Sequence, residues 1–235
     1  MQKQRKKILD NFDFHDYLVK NSEQSKKRLE GISDGVIAII ATITILEVPI
    51  PDSTSTIQIN KLISSIIIFL VSFLLIMTLW NNQRRLLDRT TYITETFIHR
   101  NIFWLAATSL LPFFTKWTIE AIHTDAAKYA VMSYGVIYLI NNIFYYGMFK
   151  SSLNARIKYD VTLNEEEVDF VKLLNSRYKH MSIIVTIGMI VNFVLANYFT
   201  ELAMYLFLGI PILNTYFNVW QKDRRKNHKK YNYRG

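Results

Sequence analysis

The chain has 235 residues, half of them hydrophobic and 14% aromatic, with a net charge of +9 and no cysteine. The absence of cysteine excludes disulfides and thiol chemistry. The apolar residues come in long blocks separated by short polar stretches, which argues against one soluble domain, and the basic residues form no folded basic surface, so nucleic acid is not an expected partner.

Residues 1–27 form a basic, amphipathic segment without the short apolar core and cleavage site of a signal peptide. Within it, Ile8, Leu9, Phe12, Phe14, Tyr17 and Leu18 alternate with charges and suit the inner membrane surface. The next stretch, RLEGISDGVIAIIATITILEVPIP over 28–51, stays almost free of charge between Asp34 and Glu47. It supplies a first membrane span at about 32–48. Further spans are expected at about 61–80, 97–117, 127–149, 181–198 and 202–220. Between the fourth and fifth, a cytoplasmic connection of about 150–179 carries Thr162-Leu-Asn-Glu165, which reads as a capping box starting a helix that runs into the fifth span. A basic tail, 222–235, closes the chain.

Basic residues alternate by side. Eight precede the first span, none falls in the connection 49–60, and Arg84, Arg85 and Arg89 follow the second span. The fourth connection is again basic, the fifth is bare and the tail is basic. This is the positive-inside pattern, and both termini are expected in the cytoplasm. Trp80, Trp117 and Trp220 stand at span ends, as interfacial aromatics do. The expected architecture is therefore an all-α integral membrane protein with six transmembrane helices spanning 28–221.

On a helical wheel the first span puts Gly35, Ile39, Thr42 and Leu46 on one face. Asp34 points roughly opposite Ile39, on the side of Ala38 and Ala41, where small residues permit close packing and the acid is expected to be buried. The aliphatic face has two readings: contact with lipid or neighbouring helices, or the wall of a water-filled path narrowed by Ile and Leu with a hydroxyl between them. Asp34 is a proton or ion site, or a structural acid paired with Arg28 or with polar residues of the second and third helices. Glu47 attracts cations at the outer end, or is an interfacial acid before Pro49.

Enzyme chemistry finds no support. The histidines, His15, His99, His123, His180 and His228, lack metal-ligand spacing. There is no Gly-rich phosphate loop and no assignable nucleophile–base pair, so neither catalytic residues nor a cofactor are expected. A secondary transporter is the alternative, with Asn141, Asn142 and a helix break at Pro112 as its best features, but no inverted repeat accompanies them.

Arg28, Ser33-Asp34 and Ile39-Ile40-Ala41-Thr42 resemble the first-helix signature of the transmembrane protein 175 family of potassium channels. Trp80 with Asn82 is similar to the family's Trp-x-Asn-His-His at the end of the second span. Asn101 and Leu110-Leu111-Pro112-Phe113 match its third-helix features. The chain departs from the pattern at Ile32, where the family has Phe, and at Gln83 and Arg84, where it has histidines. The resemblance implies the bacterial single-repeat branch, a homotetramer in the bacterial cell membrane with the first helices around a central pore, and permeant potassium ions. It implies a narrowest ring at Ile39, a hydroxyl layer at Thr42 and a further aliphatic layer at Leu46. It also implies a structural network drawn from Arg28, Ser33, Asp34, Trp80, Asn82 and Asn101. No Thr-Val-Gly-Tyr-Gly loop occurs, so the selectivity implied comes from shedding hydration at an apolar ring rather than from backbone carbonyls.

Overall fold

In a computed structural model of the chain, the described residues are 14–121, 124–160, 162–200, 203 and 206. They form six helices: α1 (Phe14–Ile45), α2 (Thr56–Arg89), α3 (Glu95–Thr108), α4 (Leu111–Ala121), α5 (Ala127–Tyr159) and α6 (Glu165–Ala196). The sixth expected span and the basic tail lie outside the described residues. Among the described residues three stretches are long and apolar enough to cross a membrane: α2, the α3–α4 pair over Glu95–Ala121, and α6. The middle of α1 carries Arg28, Glu30 and Asp34, which dilute the apolar run that follows.

α2, α3 and α6 begin at a side-chain cap. Ser55 accepts from the Gln58 amide and Thr94 from the Phe97 amide, each satisfying an N–H that has no intrahelical partner. At α6 the box is shifted from the one expected at Thr162 and Glu165. Asn164 accepts from the Glu167 amide at 2.8 Å, and the Glu167 carboxylate accepts from the Asn164 amide at 3.1 Å. Thr162 is instead drawn back to Asp160, whose Oδ1 accepts from both its amide and its hydroxyl. The helix does run on into the fifth span.

The third expected span, 97–117, is two helices rather than one. Pro112 has no N–H to donate to the Thr108 carbonyl, and its ring clashes with that turn. The chain therefore breaks at Ser109 and Leu110 and restarts at Leu111, with Pro112 in the first turn of α4. α1 shows no break at residue 28: it runs unbroken from Phe14 through Lys27 and Arg28 into the apolar stretch.

α5 packs against α3, α4 and α6, while α1 packs against α2, α3 and α4, so the α3–α4 pair lies between the two groups. The core between them includes Ile37, Ile76, Leu87, Phe97, Trp104, Leu111, Met148 and Met189, all nearly inaccessible. In lipid, apolar burial between helices gives little net gain, and close packing with interhelical hydrogen bonds carries the association. Such bonds recur here. Tyr134 Oη of α5 meets the hydroxyls of Ser72 in α2, at 2.6 Å, and Thr115 in α4. Thr108 of α3 donates to Asn141 Oδ1 of α5 at 2.8 Å, and Ser182 of α6 donates to Asn142 Oδ1 at 2.6 Å.

Candidate functional site

α1 divides into two faces over its apolar half. Leu29, Ser33, Ile37, Ile40, Ala41 and Thr44 are buried against the other helices, at the spacing of three and four residues that a helix presents to one side. Gly35, Ile39, Thr42 and Leu46 are all exposed, Ile39 at 59% and Leu46 at 77%. A Cβ built on Gly35 would meet nothing within 4 Å. The wheel's aliphatic face is therefore the face that this chain leaves uncovered.

Thr42 gives that face its one hydroxyl. Its Oγ1 donates back to the carbonyls of Ala38 and Ile39, at 3.0 and 2.9 Å. A hydroxyl has a single hydrogen; with that hydrogen turned to its own helix, the oxygen lone pairs point away from the backbone. Thr42 thus offers an acceptor between two bulky aliphatic side chains. Beyond it the helix tightens, the amides of Leu46, Glu47 and Val48 reaching the carbonyls of Ile43, Thr44 and Ile45, three residues back.

The acid and its neighbour exchange the roles expected of them. Asp34 is exposed, and the fully buried polar residue is Ser33. Of the two alanines placed beside it on the wheel, only Ala41 is buried; Ala38 is exposed. Helices α2 and α3 approach α1 about Ser33, leaving the carboxylate at the rim of their contact. Asp34 Oδ1 accepts from the Trp80 indole N–H at 2.7 Å. Arg28 is exposed and makes no ion pair among the described residues, so of the two structural partners foreseen for Asp34 it is the polar group on the second helix that holds it.

Ser33 is joined by two side chains from two other helices. Gln83 Nε2 of α2 donates to Ser33 Oγ at 2.9 Å and to Asn101 Oδ1 at 3.0 Å; Asn101 Nδ2 of α3 donates to Ser33 Oγ at 3.1 Å. Each of the three is at most 1% exposed. This closed triangle pins α1, α2 and α3 at one level, and its hub, Gln83, was visible in the sequence only as a departure from a histidine pattern. Asn82 engages the fold through its backbone, its carbonyl accepting from the Tyr145 hydroxyl at 3.3 Å. Arg84 lies over the Trp80 ring, 5.6 Å from its centre.

At the opposite end of α1, Glu47 lies 3.6 Å from Lys116 of α4, which offsets its charge. His99 is tied to the Glu95 carbonyl of its own helix. Asn141 and Asn142 are both spent on interhelical bonds, to Thr108 and Ser182. Among the described residues no group of three His, Asp or Glu side chains is arranged to hold a metal ion.

The family described as endosomal/lysosomal potassium channel TMEM175 matches residues 28–112, a stretch that contains the exposed face of α1 and every member of the polar triangle. A potassium channel of Chryseobacterium sp. (strain P1-3) is 31% identical over 121 residues, covering 52% of this chain and 62% of the relative, so the chain spans less than two thirds of that protein's length. A potassium channel of Chamaesiphon minutus is 28% identical over 200 residues, covering 77% of this chain and 97% of the relative. Among solved structures, a TMEM175 homologue from Chamaesiphon minutus, described as a lysosomal potassium-selective channel homologue, superposes with a TM-score of 0.63 at 23% identity, over 82% of this chain and 98% of that one. A variant of the potassium channel MtTMEM175 bound to a nanobody fusion gives 0.53 at 16% identity, over 83% and 93%. The shared fold, together with a motif match that falls on the residues joining α1 to α2 and α3, makes the chain a multi-pass membrane protein similar to the TMEM175 potassium channels.

Proposed function

We propose that this chain is a potassium-permeable, leak-type cation channel of the bacterial cell membrane. Four copies surround a central pore, and the exposed face of α1 lines it. The observation that carries this reading is the make-up of that face: Ile39 and Leu46 stand uncovered with the Thr42 oxygen between them, while the opposite face is fixed to α2 and α3 by the Ser33 triangle. An uncovered face of this kind on a firmly held helix suits a pore wall. The family's name supplies the permeant ion. Its single-repeat pattern supplies the count of four, and the alternating basic connections supply cytoplasmic termini.

Ion preference follows from hydration. A ring of Ile39 side chains offers no oxygen, so an ion sheds part of its water to pass, and potassium gives up water at lower cost than sodium. The Thr42 oxygens, with their lone pairs outward, lower that cost just beyond the ring. Such a filter discriminates modestly. A secondary transporter finds less support, because the midplane amides it would use, Asn141 and Asn142, already hold helices together.

The test is potassium and sodium flux in liposomes for the wild type, Ile39→Asn and Ile39→Met. The polar amide should raise flux and lower the preference for potassium, whereas the apolar thioether should keep the preference. Equal flux and equal preference in all three would put the constriction elsewhere.

A further inference from the structure

We propose that Lys116 sets the conductance of the channel by neutralising Glu47 at the outer end of the pore helix. The inference rests on the reading of α1 as pore wall. Glu47 directly follows Leu46, which is 77% exposed, within the tightened turns that end α1. Its side chain is 21% exposed and turns toward its own chain, where the Lys116 ammonium of α4 lies 3.6 Å away. Lys116 itself is 55% exposed and makes this ion pair alone among the described residues. Glu120, one helical turn further along α4, is exposed and makes none among the described residues.

A carboxylate at a narrow mouth with low-dielectric walls concentrates cations and raises their rate of entry. In a symmetric assembly one such acid per chain makes a ring. The paired lysine cancels it, so the outer mouth is held near neutral. Lys116 belongs to α4 and not to the pore helix, and α4 owes its separate course to the break before Pro112. The charge that governs entry is therefore set from a helix other than the one that lines the pore.

The experiment is single-channel recording in bilayers of wild type, Lys116→Gln, Glu47→Gln and the double variant, in about 10 mM and about 1 M potassium, where the screening length is roughly 30 Å and 3 Å. Lys116→Gln should raise inward conductance by about twofold or more at low salt and leave it unchanged at high salt. Adding Glu47→Gln should return it to the wild-type value, which assigns the effect to Glu47 and not to Glu120. A Lys116→Gln channel that conducts like wild type at low salt overturns the proposal while leaving the pore intact. So does a double variant that stays as conductive as Lys116→Gln. A wild-type protein that carries no current at all overturns the pore reading instead. Size-exclusion elution of each variant in detergent checks that assembly is retained; should Lys116→Gln fail to assemble, Lys116→Met supplies the same loss of charge.

Discussion

Trp80 donates its indole N–H to the carboxylate of Asp34, at 2.7 Å, so the acid that opens the apolar half of α1 is held by α2. This bond and the Ser33 triangle act on successive residues of one helix turn. Asp34 lies at the exposed rim of the contact and Ser33 in its interior. The two should differ in what they contribute, because water can replace a lost partner at the rim but not in the interior.

For the rim, Trp80→Phe removes the donor and keeps most of the ring. The expected loss is about 1 kcal/mol, since the carboxylate can recover a water partner. Asp34→Ala should cost a similar amount, and the double variant little more than either alone. Unfolding of the four proteins in micelles by titration with a denaturing detergent measures this. Fully additive losses would mean that the bond contributes nothing.

For the interior, Gln83→Ala leaves Asn101 without a donor to its oxygen and Ser33 with one partner fewer, all in a dry site. The expected cost is about 2–3 kcal/mol. The same micelle titration reads it, and a loss no larger than that of Trp80→Phe would contradict the ranking.

Tyr134 supplies a third case. Tyr134→Phe removes the hydroxyl that joins Ser72 and Thr115, yet each of those side chains also donates to its own helix, to the carbonyls of Ile68 and Leu111 at 2.8 Å. Neither is orphaned, so the cost should stay near about 1 kcal/mol. A loss matching that of Gln83→Ala would show that the hydroxyl network is more cooperative than its pairs.

Thr42→Val tests the pore face separately from the fold. The Thr42 hydroxyl is exposed and bonds only within α1, so stability should change by less than about 0.5 kcal/mol. Ion preference should fall, because the oxygen layer between Ile39 and Leu46 is lost. Paired measurements of unfolding and of potassium against sodium flux check both halves; an unchanged preference removes Thr42 from the conduction path.

Much of this was legible in the sequence because periodicity is a local property. The wheel put Gly35, Ile39, Thr42 and Leu46 together, and all four are uncovered. What the wheel cannot tell is how closely neighbouring helices approach, and so Asp34 was expected inside while Ser33 took that place. Gln83 as hub was hidden for the same reason: an amide beside Trp80 and Asn82 becomes a three-way clamp only once α2 and α3 bring it to Ser33. The Glu47–Lys116 pair joins residues far apart in the chain, and no local pattern announces it. The break in the third span was written in Pro112, but the apolar run continues across it and hides the restart at Leu111.

The central claim is that the face of α1 bearing Ile39, Thr42 and Leu46 meets water and passing ions, not acyl chains. The chain contains no cysteine, so single introduced thiols report without background. Leu46→Cys, in an otherwise native chain, should lose its current when a charged thiol reagent is added from outside. Leu70→Cys, from the exposed face of α2, should be unaffected by the same treatment. Block at Leu46 with none at Leu70 is the result this account requires; current that persists in the Leu46→Cys channel under the reagent would contradict it.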